Sequence, residues 1–203
     1  GINLGTIGLL TDIAPKDLTS SLTSILQGKF NRDRRFFLEA KINGKDIKNN
    51  ISLNEIVIHS DSIAQLMEYD LFVDKKFVYR QRADGLILST PTGSTAYSLS
   101  GNGPIVHPGV KAISLLPMFP HSLNSRPMLI NENSKIKVKI IKNPKSSISF
   151  DSHNKYKLKI NDQIEINKTN KELVLIHPTD HDFFAASREK LGWSLGVPKN
   201  FPL

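Results

Sequence analysis

The sequence predicts a mainly β protein, folded as a β-sandwich, with one helix near its start and a short one near its end. Three observations predict it. About a dozen short extended segments follow one another at the spacing of sandwich strands. Turn residues separate them, and Asn43-Gly44 is a strong hairpin signal. In Lys135-Ile-Lys-Val-Lys-Ile-Ile-Lys142 and Lys157-Leu-Lys-Ile160, charged and aliphatic residues alternate, as in a strand with one buried and one solvated face.

In chain order, glycines at 1, 5 and 8 precede Leu9-Leu10, a spacing that lets backbone approach a ligand or a neighbouring element. Pro15 is acceptable in a first helical turn; Leu18, Leu22, Ile25 and Leu26 then share a helical face, and Gly28 stands at the C-terminal cap. Ala14 is a poor N-cap, which leaves that role to Asp12. After residue 34 the period changes to that of strands. Residues 36–42 lead into the Asn43-Gly44 turn, Ile47 lies on the return, and 51–59 reads as one further strand. Strands follow at 66–73, 76–80, from Gly85, 105–107, 112–116, 128–130, in the two lysine-alternating stretches, and at 163–166 and 173–176. Residues 180–191 read as a final helix, with Phe183, Phe184 and Leu191 as apolar contacts, and the tail from Gly196 as loosely ordered.

At 203 residues the chain suits one or two domains, and 39% apolar residues can build a sizeable core. No apolar run approaches the ~20 residues of a membrane span, so no membrane association is expected. There is no charged-then-apolar leader, and the absence of cysteine excludes disulfides and thiolate metal sites, so a reducing cytoplasm is the expected location. Gly1 stands where a start codon would give methionine, which suggests a fragment or a processed chain. The formal charge of +8 favours anionic partners. Strand alternation accounts for many of the lysines, however, and no recognition motif accompanies them, so nucleic acid is not an expected partner.

Chemistry concentrates in one stretch, Arg82-Ala-Asp-Gly-Leu-Ile-Leu-Ser-Thr-Pro-Thr-Gly-Ser-Thr-Ala-Tyr-Ser-Leu-Ser100. A buried strand ends at Pro91, and Ser94 or Thr95 can cap a brief helix carrying Tyr97 and Leu99. The hydroxyls of Thr92, Ser94, Thr95, Ser98 and Ser100 suit phosphates, riboses or an adenine edge; equally, they can cap their own backbone. Asn54-Glu55, a polar pair in an apolar strand, either bonds a neighbouring loop or binds the vicinal hydroxyls of a sugar. Arg82 and Asp84 can share a sheet face and pair with each other. Asp151-Ser152-His153 has the composition of a turn. His177 and His181 lack a third partner for a metal. Met118-Phe-Pro-His121 and Ser125-Arg-Pro127 form an irregular loop that can line a pocket or merely pack. No nucleophile elbow, zinc motif or Walker loop occurs.

These residues closely resemble the bacterial NAD kinases. The resemblance rests on Asn54-Glu-Ile-Val-Ile-His59, on the stretch from Gln81 to Ser100, on Leu116-Pro-Met-Phe-Pro-His121 and on Ser125-Arg-Pro127. The opening Gly1-Ile-Asn-Leu-Gly-Thr-Ile-Gly-Leu-Leu-Thr-Asp12 and Leu191-Gly-Trp193 add to it. The resemblance implies a β-sandwich over residues 31–179, preceded by a remnant of an α/β nucleotide domain at 1–30, with the helix and tail of 180–203 returning to that domain. It implies ATP-dependent phosphorylation of the adenosine-ribose 2′-hydroxyl of NAD, giving NADP, with magnesium entering on ATP, in a homo-oligomer such as a dimer or tetramer.

Carried over by motif, Asn54 and Glu55 hold ribose and adenine-side groups. Thr92 and the run Thr95, Ala96, Tyr97, Ser98, Leu99 and Ser100 line the adenine and ribose pocket. Asp84 contacts the other end of the dinucleotide, reaching in from a neighbouring subunit, and Gln65, Arg82 and His153 fall at further contacting positions. The family's Gly-Gly-Asp-Gly segment, whose aspartate activates the ribose hydroxyl, is absent from the 203 residues. Its loss removes base assistance of ~10²–10⁴-fold, so this chain is expected to keep part of the NAD site and to be feeble as a kinase. The alternative is a non-catalytic nucleotide-binding or regulatory module that retains the pocket.

Overall fold

The computed structural model describes residues 1–2, 9–11, 13–62, 65–142 and 145–192. Gly5, Gly8, Asp12, Trp193 and the tail lie outside them. Two six-stranded antiparallel sheets dominate the described residues. The first holds β1 (Asn31–Ile42), β2 (Lys45–Ser52), β4 (Met67–Val73), β5 (Lys76–Ala83), β9 (Ile136–Lys142) and β12 (Gln163–His177), in the order β2-β1-β12-β9-β4-β5. The second holds β3 (Glu55–Ser60), β6 (Gly85–Ser89), β7 (Ala112–Met118), β8 (Met128–Asn131), β10 (Ser146–Phe150) and β11 (Asn154–Leu158), in the order β11-β10-β3-β6-β7-β8.

Period-two alternation builds the core. Leu38, Tyr69, Leu71, Val138, Ile140 and Ile164 of the first sheet pack with Ile56, Ile58, Leu86, Leu88, Ile113 and Leu115 of the second, all fully buried. Each such side chain contributes about 1.5–3 kcal/mol by leaving water. The second sheet is apolar on its outer face as well: Val57, Ile87 and Leu116 form a separate buried cluster, with Met118 against it. β6 is therefore buried along its whole length. An outer sheet face of this kind needs a cover, and the chain supplies one directly after β6.

The Asn43-Gly44 turn joins β1 to β2 with left-handed φ of 53° and 73°, as the Asn-Gly pair predicts. Elsewhere the strand expectations need correction. Residues 51–59 are not one strand. The chain leaves the first sheet at Ser52 and enters the second at Glu55, because Asp151 takes the intervening N–H groups. Residues 105–107 form no strand, since Val106 is anchored to the Ser94 side chain on both its N–H and its carbonyl. Residues 163–166 and 173–176 belong to one strand, β12. The second lysine-bearing strand is Asn154–Leu158, in register with β10 from Ser146↔Leu158 to Phe150↔Asn154.

The chain divides into two compact units, Gly1–Arg34 with Val174–Leu203, and Arg35–Leu173. In the first unit, a 3-10 turn (Pro15–Asp17) leads into α1 (Leu18–Leu26), where Asp17 is the N-cap residue and makes no side-chain cap. Gly28 follows with φ +79°. No residue of α1 is buried, and Leu22 and Leu26 of its apolar stripe stand exposed. A second nine-residue helix, Phe183–Leu191, starts later than residue 180 because Asp182 caps it, accepting the Phe184 N–H at 2.8 Å. The His177 and His181 rings stack 4.1 Å apart, with His177 Nε2 3.6 Å from Asp33. In the second unit, α2 (Tyr97–Ser100) follows a 3-10 turn at Thr92–Thr95. Neither Ser94 nor Thr95 caps α2: its N-cap residue is Ala96, which makes no side-chain bond, and both hydroxyls bond backbone carbonyls.

Candidate functional site

The site begins where the chain changes sheets. Leu53, Asn54 and Glu55 present three successive N–H groups between two ladders, and buried groups of this kind need partners. Asp151 accepts all three, Leu53 at 2.7 Å on Oδ2, and Asn54 and Glu55 at 2.9 and 3.0 Å on Oδ1. Asp151 and Ser152 have left-handed φ of 45° and 61° in the β10–β11 turn. Asp151 N–H donates back to Glu55 O at 3.1 Å.

The bend after β6 packs directly on this crossing. Thr90 N–H donates to Asn54 O at 2.9 Å, and Thr90 Oγ1 to Leu53 O at 2.6 Å. Gly93 follows, and a Cβ there would stand 2.1 Å from Asn54 O, so only glycine permits the approach. Several hydroxyls of the bend serve the fold. Ser94 Oγ donates to Pro91 O and accepts Val106 N–H, Thr95 Oγ1 donates to Thr92 O, and Thr92 Oγ1 accepts from Arg35 Nη1 at 2.9 Å. Ser98 Oγ is buried with no hydrogen-bond partner, and Ser100 is exposed.

Glu55 is the unusual group. It is 3% exposed, and its Oε2 has no hydrogen-bond partner. Burial chiefly, and the Asp151 charge second, push its carboxyl from 4.5 up to about 7, while the Tyr97 backbone N–H pulls the other way. The register places Glu55, Ser89 and Ser114 in one cross-strand row of the second sheet. Ser114 Oγ is likewise buried without a partner. Ser114 escaped the sequence reading, although its polarity within Ala112-Ile-Ser-Leu-Leu116 is the signal that could have found it.

Two hollows open on this outer sheet face and share Tyr97, Met118 and Phe119. The first, about 550 Å³, is lined further by Val57, His59 and Asp84. The second, about 490 Å³, is lined by Ile87, Ser100, Asn102 and Arg126. On the first hollow's wall, Asp61 accepts from Lys155 Nζ at 2.6 Å and from Ser147 Oγ at 2.7 Å. Buried only in part, the Asp61 carboxyl lies below the usual range, those bonds outweighing its desolvation. The sequence reading missed this cluster, because residues 86 positions apart in the chain meet there only through strand pairing.

Of the residues singled out in the sequence, Asn54, Glu55 and Tyr97 meet at the crossing; Thr92, Thr95 and Ala96 belong to the bend packed on it, Ser98, Leu99 and Ser100 to the short helix that follows, with Ser100 on the second hollow and Asp84 on the first. Gln65, Arg82 and His153 are exposed and line neither hollow. Arg82 forms no ion pair with Asp84: β5 ends at Ala83, and the chain passes at Asp84 into the second sheet. Asp84 is held there by its backbone, donating to Met118 O and accepting from Ser60 N–H. His153 Nδ1 folds back on Asp151 O. Among the described residues, no group of three histidine or acidic side chains stands together as a metal site.

Two six-stranded sheets packed face to face, with a buried glutamate beside a pair of hollows on the outer face of one of them, define the class: a mainly β sandwich domain. Residues 53–178 match the model of the ATP-NAD kinase C-terminal domain, and the chain belongs to that family. It is 44% identical over 198 residues to the NAD kinase of Chromohalobacter salexigens, covering 96% of this chain and 68% of that one. It is 48% identical over 200 residues to the NAD kinase of Wigglesworthia glossinidia brevipalpis, covering 66% of that protein. Among solved structures, yeast NADH kinase complexed with NADH superposes with a TM-score of 0.86 at 31% identity, over 100% of this chain and 59% of that one. An NAD kinase from Archaeoglobus fulgidus in complex with ATP gives 0.77 at 27% identity, over 93% of this chain and 73% of that one. The chain thus spans about two thirds of the length of its bacterial relatives.

Proposed function

We propose that this chain supplies the dinucleotide-binding part of an NAD kinase, which transfers the terminal phosphate of ATP to the adenosine-ribose 2′-hydroxyl of NAD and so forms NADP. The observation that carries this reading is the Glu55 carboxylate, buried and with one oxygen unpartnered, beside Asn54 and under the Tyr97 backbone. A carboxylate oxygen and a carboxamide suit the two hydroxyls of a ribose. Tyr97, 42% exposed between the hollows, offers a ring face to a base. The solved relative that holds NADH supports the ligand class, and the one that holds ATP supports the donor.

In this reading residues 31–179 form the NAD-binding sandwich, and 1–30 with 180–203 belong to an α/β domain. Thr92 and Thr95 shape the bend by their hydrogen bonds, and Ala96, Ser98, Leu99 and Ser100 line the pocket it makes. Asp84 contacts the far end of the dinucleotide and serves a neighbouring subunit of a dimer or tetramer, and Gln65, Arg82 and His153 stand at further contacting positions. Magnesium arrives on the phosphates of ATP as part of that substrate. What the described residues contribute is position: they hold the sugar so that its hydroxyl meets the phosphate, the larger part of catalysis in phosphoryl transfer.

The 203 residues contain no Gly-Gly-Asp segment to supply a base, so binding without rapid turnover is expected. Calorimetry with NAD tests the site, and NADP formation from NAD and magnesium-ATP tests the rest. Absence of NAD binding would overturn the reading. Turnover equal to that of a complete homologue would refute the part concerning the missing base.

A further inference from the structure

Two Asn-Gly pairs occur in the chain, Asn43-Gly44 and Asn102-Gly103. Such a pair carries its own chemistry. The glycine backbone nitrogen, unhindered by a side chain, attacks the asparagine Cγ; a C–N bond forms, the side-chain amide leaves as ammonia, and a succinimide remains. Water then opens the ring at either carbonyl, giving aspartate or isoaspartate.

Both asparagines have left-handed backbone, with φ of 53° and 64°. They differ in what holds the side chain. Asn43 Nδ2 donates to Asp162 Oδ1 at 2.8 Å, and its Oδ1 accepts Gln163 N–H at 2.9 Å. Carrying Cγ onto the Gly44 nitrogen would break both bonds. The Asn102 side chain is exposed and has no hydrogen bond among the described residues. Only backbone restrains it: Asn102 N–H donates to Leu99 O at 3.0 Å, and Gly103 N–H to Ser98 O at 2.9 Å. These bonds close a helix of only four residues, a kind of element that opens readily.

We propose that Asn102 is a site of spontaneous deamidation, where a neutral amide at the edge of the second hollow becomes a carboxylate, while Asn43 is protected by its two side-chain hydrogen bonds. The consequence for binding rests on the dinucleotide reading above. NAD carries an anionic pyrophosphate, and a carboxylate on the lining of the hollow repels it. The isoaspartate product also lengthens the main chain in a crowded turn. A Cβ at Gly103 would already meet Ser98 Oγ at 2.4 Å, and one at Gly101 would meet Leu116 Cδ2 at 2.9 Å. The modified chain therefore binds a dinucleotide more weakly.

The test is to hold the full chain at mildly alkaline pH and body temperature, and to follow both asparagines by peptide mapping with mass spectrometry and isoaspartate labelling. Conversion at Asn102 should outrun that at Asn43 by roughly tenfold or more, since two hydrogen bonds guard the latter. Asp162→Ala should speed conversion at Asn43, and Asn102→Gln should remove the conversion at position 102. Equal rates at the two sites, or an Asn102 that stays intact, would overturn the proposal. Calorimetry on Asn102→Asp reads the consequence separately. A several-fold weaker NAD affinity is expected, and unchanged affinity would overturn that clause. If the unmodified chain binds no NAD, the dinucleotide reading fails while the mass measurement still decides the modification.

Discussion

Asp151 Oδ1 accepts the backbone N–H of Glu55 at 3.0 Å, across 96 residues of chain, and the charge on the same carboxylate adds to burial in raising the Glu55 carboxyl to about 7. One side chain thus fixes the course of the backbone and tunes the group that the backbone carries. Replacing Asp151 by alanine orphans three N–H groups, part-buried at the crossing between the sheets. A loss of about 3 kcal/mol in unfolding free energy is expected by denaturant titration. The Glu55 carboxyl should titrate lower in the variant, and an unchanged Glu55 titration would rule out the electrostatic half of this relationship.

The raised Glu55 carboxyl makes stability depend on pH. Its folded value, about 7, exceeds the 4.5 of an ordinary glutamate, so the folded chain holds this proton more tightly than the unfolded chain does. Stability from this group is therefore complete below pH 4.5 and falls as pH rises towards and through about 7, with a total loss on the order of 3 kcal/mol. Glu55→Gln should remove that slope and gain on the native chain as pH rises. Parallel slopes for the two proteins, measured by urea unfolding across that window, would contradict it.

Ligand hydroxyls donate to a carboxylate, so they favour the ionised form of Glu55. Binding of NAD near pH 7 should release a proton. Calorimetry in buffers of different ionisation enthalpy measures the release, and proton uptake would show that Glu55 does not receive the sugar hydroxyls.

Gly93→Ala should be damaging despite its small size. The new Cβ would fall 2.1 Å from Asn54 O, and backbone on both sides must separate. Roughly 1–3 kcal/mol of stability should be lost, together with dinucleotide affinity, because the bend lifts off the crossing. A thermal melt at wild-type temperature would show that the close approach is dispensable.

Among the hydroxyls of the bend, Ser94 should matter most to stability. Its buried Oγ holds the Pro91 carbonyl and the Val106 N–H together, and Ser94→Ala leaves that N–H without a partner, at about 2 kcal/mol. Thr95→Ala, which loses one part-buried bond to Thr92 O, should cost less than about 1 kcal/mol. Equal effects in denaturant melts would mean that the two hydroxyls do not divide as their hydrogen bonds indicate.

Strand content was legible because alternation is local. Side chains two apart share a face, so the lysine-rich stretches, the Asn43-Gly44 hairpin and the Gly85 strand could be read from neighbours alone. The strand expectations that failed concern where a strand ends or whether a segment pairs at all. Residues 51–59 look continuous, and the break at Leu53 exists because Asp151 arrives from almost a hundred positions away. Residues 105–107 look extended, but the backbone of Val106 is claimed by Ser94 before any strand can pair with it.

By itself the sequence determined the alternation that makes two sheets, the glycine that lets the bend close, and the motif from Gln81 to Ser100 that places the chain in its family. Only the tertiary structure decided that the bend lies on the Leu53–Glu55 crossing, that the Thr90, Ser94 and Thr95 hydroxyls are spent on the backbone, and that Glu55 is left buried with an open oxygen. The physical reason is that strand patterning is set by residues adjacent in the chain. The protonation of a carboxyl group, and the partner of a hydroxyl, are set by whatever folding brings within a few ångströms.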